Sequence, residues 1–537
     1  MQCRRHRLGE YDLVSLPIAG LHHLTILYIS FLDRNEQHQL LCGSMKNCAF
    51  TSHYFFSSSS FHRAVIVLVL CLMGLVSCTP VGPDFQPPVI DAPAEWHAKL
   101  ADGLSVAATR PADLSQWWQN FNDPVLSELI KLAVAGNLDL QQAYGRLYEA
   151  RASLGANRAA EFPTLSGSGS AIRSHSGDQT RNLYSASFDA GWELDIFGGV
   201  RRSIEASRSD LSASREDLRD VLVSLLGEVA TSYIELRTYQ ARLNAASENI
   251  RIQEDTRQLT VWRYQAGLSD ELEVQQARYN LASTRAQLPV LRAGQDASMN
   301  RLAVLTGQKP GELHELLGKI APIPVPPLAV TVGVPAETLR QRPDLRRAES
   351  QLAAATARIG VATAELYPKF SLTGSIGLES VDSADILAAA NRTSHFGPAF
   401  SWPLFDGGLI RRNIEVRSSQ QEQALGKYRN TLLGALEEVE NALTAYAEEQ
   451  RRNQSLVEAV NAAKTAAGLA EDKYRAGLQD FFTVLDAQRS RISYEDQLAQ
   501  SNGAVSTDLV RLYKALGGGW QSLAGDPETP ATGTKEQ

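Results

Sequence analysis

The chain has 537 residues, a formal net charge of −8 and five cysteines. With 60 Asp and Glu against 52 Lys and Arg, it lacks the basic excess that a nucleic-acid partner requires. Cys3, Cys42, Cys48, Cys71 and Cys78 all lie at or before position 78, so the remainder can form neither a disulfide nor a thiolate metal site.

Residues 1–77 read as a signal and leader region. Within them, 64–76 (AVIVLVLCLMGLV) form an uncharged apolar run, too short for a bilayer core of roughly 30 Å but suited to a signal h-region. His62 and Arg63 flank it on one side, and Leu75-Val76-Ser77-Cys78 follow on the other. That tetrapeptide resembles a bacterial lipobox, in which the cysteine becomes the N-terminus and carries the lipid. Cys78 is therefore the expected anchor, and Thr79 behind it fits transfer to the outer membrane. Residues 1–44 match no part of a signal peptide, whereas Met45-Lys46-Asn47 is a plausible start.

Residues 78–122, rich in Pro and polar side chains, are expected to run extended over the surface as a lipid-anchored strap. Asp123-Pro124 is an N-cap followed by proline at the first helical position, opening a helix to about Gly136. A second helix, about Asp139 to Glu161, stops before Pro163. Two strands follow, 164–173 and 184–197, separated by a polar loop from His175 to Asn182. A long helix from about Val200 contains no proline up to Gln265 and carries Leu218, Val221, Leu222, Leu225, Val229, Ile234 and Leu236 as a narrow apolar stripe, as in coiled coils. At about 1.5 Å per residue it spans roughly 100 Å. It turns at Gly267 and returns, the hairpin occupying 200–306.

The second half then repeats the first. Asp139-Leu140, Ala143, Leu147, Gly155, Pro163 and Gly169 recur at an offset of 205, as Asp344-Leu345, Ala348, Leu352, Gly360, Pro368 and Gly374. Trp192, Arg201-Arg202, Tyr264 and Ala266-Gly267-Leu268 recur at 210, as Trp402, Arg411-Arg412, Tyr474 and Ala476-Gly477-Leu478. The chain thus divides into a first repeat, 123–333, and a second, 334–517, with strand pairs 164–197 and 369–405, a second helical hairpin 409–517 turning at Gly477, and a disordered tail, 518–537. Two copies of one supersecondary unit imply pseudo-symmetric packing, because neither buries its apolar face alone.

The strand segments alternate small or polar with apolar residues over about ten positions. This fits transmembrane β-barrel strands, with Trp192 and Trp402 at the interfacial girdle; each segment alone fits a soluble hairpin equally well, and Pro398 and Pro403 are awkward in a central ladder. Four strands cannot close a barrel in lipid. A homotrimer supplies twelve, enough for a water-filled duct, where a dimer of eight would be nearly filled by side chains.

Several segments, YRAGLQDFFTVLDAQ (474–488), RQRPDLRRAE (340–349), TPVGPDFQPP after Cys78, and the FGG and FDGG turns at 197–199 and 405–408, together resemble the TolC-like outer membrane factors. The likeness is to the lipoprotein (NodT-type) branch that serves resistance-nodulation-division efflux systems. It implies an α+β membrane protein: a trimeric twelve-stranded outer-membrane barrel continued by a long helical barrel into the periplasm. The implied partners are a periplasmic adaptor (membrane fusion) protein, an inner-membrane resistance-nodulation-division pump and outer-membrane lipid. The implied function is passive conduction of drugs or other toxic organic molecules, with substrate choice lying mostly in the pump. By the same resemblance the closed tip is formed around the second turn, with Asp486 at an acidic ring, Phe482 as a bulky neighbour and Tyr474 linking helices. Gln479 and Thr483 stand where some members carry Arg and a second Asp, so those links are not carried over. No cofactor, metal or catalytic set is expected, since His97, His175, His314 and His395 lie far apart without ligand spacing. Two other readings are a protein-secretion channel and a periplasmic coiled-coil lipoprotein with no pore.

Overall fold

The computed structural model describes residues 79–90, 92–98, 104–106, 114–324 and 330–521. Cys78, the leader and residues 522–537 lie outside the described residues.

Short β1 (Leu104–Val106) precedes α1 (Pro124–Gly136) and α2 (Leu138–Ala159). Both helices start on side-chain caps: Asp123 Oδ1 accepts from the backbone N–H of Val125 (2.8 Å) and Leu126 (3.0 Å), and Asn137 Oδ1 from Leu140 (2.9 Å). These bonds occupy amides that a helix N-terminus otherwise leaves unpaired. Next come β2 (Thr164–Ser176), β3 (Gln179–Leu194), α3 (Gly199–Gln265) and α4 (Glu271–Leu305). After a one-turn helix α5 (His314–Leu317), the chain forms β4 (Val330–Val332), α6 (Pro335–Gln341), α7 (Pro343–Ala364), β5 (Lys369–Ser380), β6 (Arg392–Ser401), α8 (Leu409–Arg475) and α9 (Phe481–Ala515). Both α3 and α8 have 67 residues, and both α4 and α9 have 35.

The strands β2-β3-β5-β6 form one antiparallel sheet in that order, and β1 pairs in parallel with β4. The first hairpin departs from expectation. His175 to Asn182 is not a loop: β2 and β3 stay in register up to Ser176 opposite Gln179, leaving Gly177-Asp178 as a two-residue turn with Gly177 at φ +60°. A Gly-Asp pair between strands suffices to reverse the chain, because glycine adopts the positive φ that tight hairpins require. In β6, Pro398 stands opposite Leu372 on an edge strand, and Pro403 lies beyond the strand end at Ser401. Pro403 therefore takes no donor from the ladder, and in the single protomer Pro398 is confined to an edge strand.

The long helices start alike. Asp195 accepts from the backbone N–H of Val200 (3.0 Å) and Arg201 (2.9 Å), and Asp406 from Gly408 and Ile410 (both 2.8 Å). The main core lies at mid-height of α3, where Leu226, Val229, Tyr233 and Ile234 pack with Leu129 and Ile130 of α1, Leu302 of α4 and Leu509 of α9. The segment ahead of α1 is not all surface strap. Trp117, Trp118 and Phe121 are buried in this core, with Trp117 stacked on Tyr513 at 5.3 Å, because large aromatics gain most from leaving water. Residues 518–521, expected in a disordered tail, are instead packed: the Arg219 guanidinium lies over the Trp520 ring at 4.4 Å, a cation–π contact. Among the described residues no helix is long and apolar enough to cross a membrane.

Candidate functional site

Residues opposite one another in a ladder share a face, and faces alternate along each strand. The register therefore sorts the whole sheet. Leu165 opposite Ala190, Phe188 opposite Ile376, Trp192 opposite Leu372, and Phe370 opposite Phe400 lie on one face, together with Phe396. The other face carries Ser166 opposite Asp189, Ser168 opposite Ser187, Ser170 opposite Ser185, Asp189 opposite Ser375, and Ser375 opposite His395. Its hydroxyls are bonded across the strands, Ser168 to Ser187 at 2.9 Å and Ser170 to Ser185 at 2.8 Å, and along β3 Ser187 donates to Asp189 Oδ2 at 2.8 Å. Phe188, Ile376, Phe396 and Phe400 are exposed in the protomer. Such a contiguous apolar face calls for a cover.

Two tryptophans mark the end of the sheet nearest the long helices. The Trp192 indole donates to the carbonyl of Glu161 and that of Trp402 to Leu366, each at 3.0 Å. Their polar tips are satisfied and their ring bodies remain partly open, the arrangement found where an apolar band meets water.

At the far ends of the long helices, the two turns are built on one plan. Gly267 (φ +70°) and Gly477 (φ +71°) end α3 and α8; Leu268 N–H donates to Arg263 O and Leu478 N–H to Lys473 O, each at 2.8 Å. This is the glycine-terminated helix end that only a residue without Cβ adopts freely. Asp270 and Asp480 then cap α4 and α9 through the backbone N–H of Glu273 and Thr483.

Between the hairpins, Tyr474 is buried in a small cluster with Ala277, Ala470, Phe481, Val484 and Leu485. Its hydroxyl donates to Glu273 Oε2 at 2.5 Å. The Arg263 guanidinium lies over its ring at 4.6 Å and donates to its backbone carbonyl at 3.1 Å. Burial, reinforced by the Glu273 carboxylate, pushes the phenol well above its ordinary value. Tyr474 thus ties α8 to both α3 and α4. Arg263 and Glu273, which sequence reasoning missed, complete this tie. Their signal was weak, because neither recurs in the other half: position 473 is Lys and position 483 is Thr.

Phe482 and Asp486 are one helical turn apart on the exposed side of α9, Phe482 with 64% of its surface open. The Gln479 amide donates to Thr483 Oγ1 (2.8 Å), which donates to Asp480 (2.6 Å). Within the protomer these polar groups therefore close on their own cap. A buried bond from Gln488 to Thr256 Oγ1 (2.8 Å) and the paired Arg242 and Asp496 (2.7 Å) join α9 to α3 above the tip. Among the described residues no group of His, Cys, Asp and Glu has metal-binding geometry.

The family model for outer membrane efflux proteins matches residues 129–308 and 334–518. The chain belongs to that family. It is an outer-membrane efflux channel protein reaching into the periplasm, in a family of channels and not of enzymes. Nodulation protein T of Rhizobium leguminosarum biovar trifolii is 31% identical over 457 residues, covering 84% of this chain and 96% of the relative. The solvent efflux pump outer membrane protein SrpC of Pseudomonas putida is 33% identical over 468 residues, covering 84% and 97%. Among solved structures, the outer-membrane channel OprN matches with a TM-score of 0.77 at 36% identity, over 82% of this chain and 99% of that one. The open state of the Neisseria gonorrhoeae channel MtrE matches with 0.72 at 26%, over 82% and 99%.

Proposed function

We propose that three copies of this chain form one duct, with residues 123–333 and 334–517 acting as two pseudo-symmetric repeats of each protomer. The observation that carries this is the four-stranded sheet: one face apolar and exposed, the other lined with hydroxyls, with β2 and β6 as open edges. In lipid an open edge leaves several backbone groups unsatisfied, and joining β6 of one copy to β2 of the next removes every edge at twelve strands. The serine face then lines water and the phenylalanine face meets hydrocarbon. The helical hairpins continue the duct into the periplasm, where their turns meet an adaptor protein and an inner-membrane pump of the resistance-nodulation-division type. Drugs or other toxic organic molecules pass outward through it, as the solvent efflux named for SrpC suggests. Cys78 carries the lipid.

The threefold axis brings three copies of Asp486 and Phe482 to the narrow end. Three carboxylates there attract cations, and three rings fill the bore. In single-channel currents of the purified protein, Asp486→Ala is expected to weaken block by divalent cations and Phe482→Ala to raise resting conductance. If neither changes while a mid-tunnel substitution does, the constriction lies elsewhere. A protein that never conducts in a planar bilayer overturns the duct itself.

A further inference from the structure

The start of the strap is held by one buried cation. Arg202, in the first turn of α3, is only 3% exposed. Its Nε donates to the carbonyl of Val81 (3.1 Å), one terminal nitrogen to Gly82 O (3.3 Å) and Asp84 Oδ1 (2.6 Å), and the other to Glu205 Oε2 (2.8 Å). Val81 N–H in turn donates to Phe197 O at 3.0 Å, in the link between β3 and α3. Steric fit is as tight as the bonding. A Cβ on Gly82 (φ +90°) would lie 2.4 Å from Gly360 Cα, and one on Gly198 (φ +81°) would lie 2.6 Å from Pro80 Cα.

The second half keeps the arginine but not the seat. Arg412, at the offset of 210 from Arg202, pairs with Glu415 as Arg202 pairs with Glu205, yet its side chain is 78% exposed. Around Gly408 a Cβ would meet nothing within 4 Å. The pair of junctions is thus asymmetric, and the occupied one lies beside the Trp192 end of the sheet. Further along, the strap is fastened again where Trp96 Nε1 donates to Gly333 O (2.8 Å) and the backbone N–H groups of His97 and Ala98 donate to Glu440 (2.7 and 2.9 Å).

We propose that Arg202 is a positioning residue that seats residues 80–84 on the junction of β3 and α3, so that the lipid on Cys78 enters the membrane at the Trp192 end of the sheet. The seat, not the lipid, holds residues 80–84 to the body. Only a guanidinium serves, because its planar fork reaches two carbonyls and two carboxylates together, which an ammonium does not. The position of the lipid rests on Cys78 being the anchor; the seat does not.

The test uses the full chain in outer membranes opened to the periplasmic side and labelled with palmitate. Proteinase K cleavage within 79–98 is followed by the mass of the trimmed body, a readout independent of the lipid. Arg202→Ala is expected to be cut at least tenfold faster than the parent with its palmitate unchanged, Arg202→Lys to give no rescue, and Arg412→Ala to behave as the parent. Asp84→Ala, whose parent side chain is largely exposed, gives a smaller acceleration and serves if Arg202→Ala fails to accumulate. Parent-like cutting of Arg202→Ala, or of Asp84→Ala in its place, overturns the seat. Loss of palmitate from the parent overturns the anchor alone.

Discussion

Tyr474 donates its hydroxyl to Glu273, and a hydrogen bond to a charged group contributes roughly 1.5–3 kcal/mol. Tyr474→Phe keeps the ring under Arg263 and removes only that bond, so resting openings should rise about tenfold; unchanged single-channel currents would show that the bond does not restrain the tip. Asp480 provides a pH prediction at the same place. Its carboxyl is held below the ordinary range by the Thr483 hydroxyl and then by the Thr483 backbone N–H. A depressed folded pKa means that the cap is fully present above the unfolded value, about 3.9, and is lost as pH falls through the lower folded value. Exchange of the Thr483 amide should therefore accelerate only in acid, and Asp480→Asn should abolish that dependence. Identical profiles for the two proteins would contradict it.

At the scale of elements, the turns and the sheet face make separate demands. Gly267→Ala and Gly477→Ala each place a Cβ at positive φ, costing about 1 kcal/mol, and should raise proteolysis at the substituted turn and not at the other. The sheet discriminates by parity. Phe188→Lys puts a charge on the apolar face, costing about 2–4 kcal/mol near the bilayer midplane, whereas Ser187→Lys, its neighbour on the hydroxyl face, should insert normally. Urea-dependent unfolding in lipid vesicles reads the difference, and equal destabilisation would mean that the faces are not lipid and water.

For the whole molecule, the open edges at β2 and β6 require partners. The native mass in detergent is expected to be three chains, and a stable conducting monomer would remove the shared barrel. Cys78→Ser should abolish palmitate labelling while trimers still form, since the strap is also held by its own bonds to the body.

Periodicity and punctuation by themselves determined the long helices and both hairpin turns, because these depend on neighbours a few residues apart: Asp123-Pro124 caps α1, and Gly267 and Gly477 end α3 and α8. Alternation also placed the strands, but Gly177-Asp178 lies inside a polar stretch that resembles a loop and hides the turn. Only the tertiary structure decided the burial of Trp117 against Tyr513, the tie of Tyr474 to Arg263 and Glu273, and the difference between Arg202 and Arg412. The two arginines stand 210 residues apart in the sequence, each in the first turn of a long helix and each paired with a glutamate three residues on. What separates them is the strap lying over one and not the other, a contact across more than a hundred residues that no local pattern encodes.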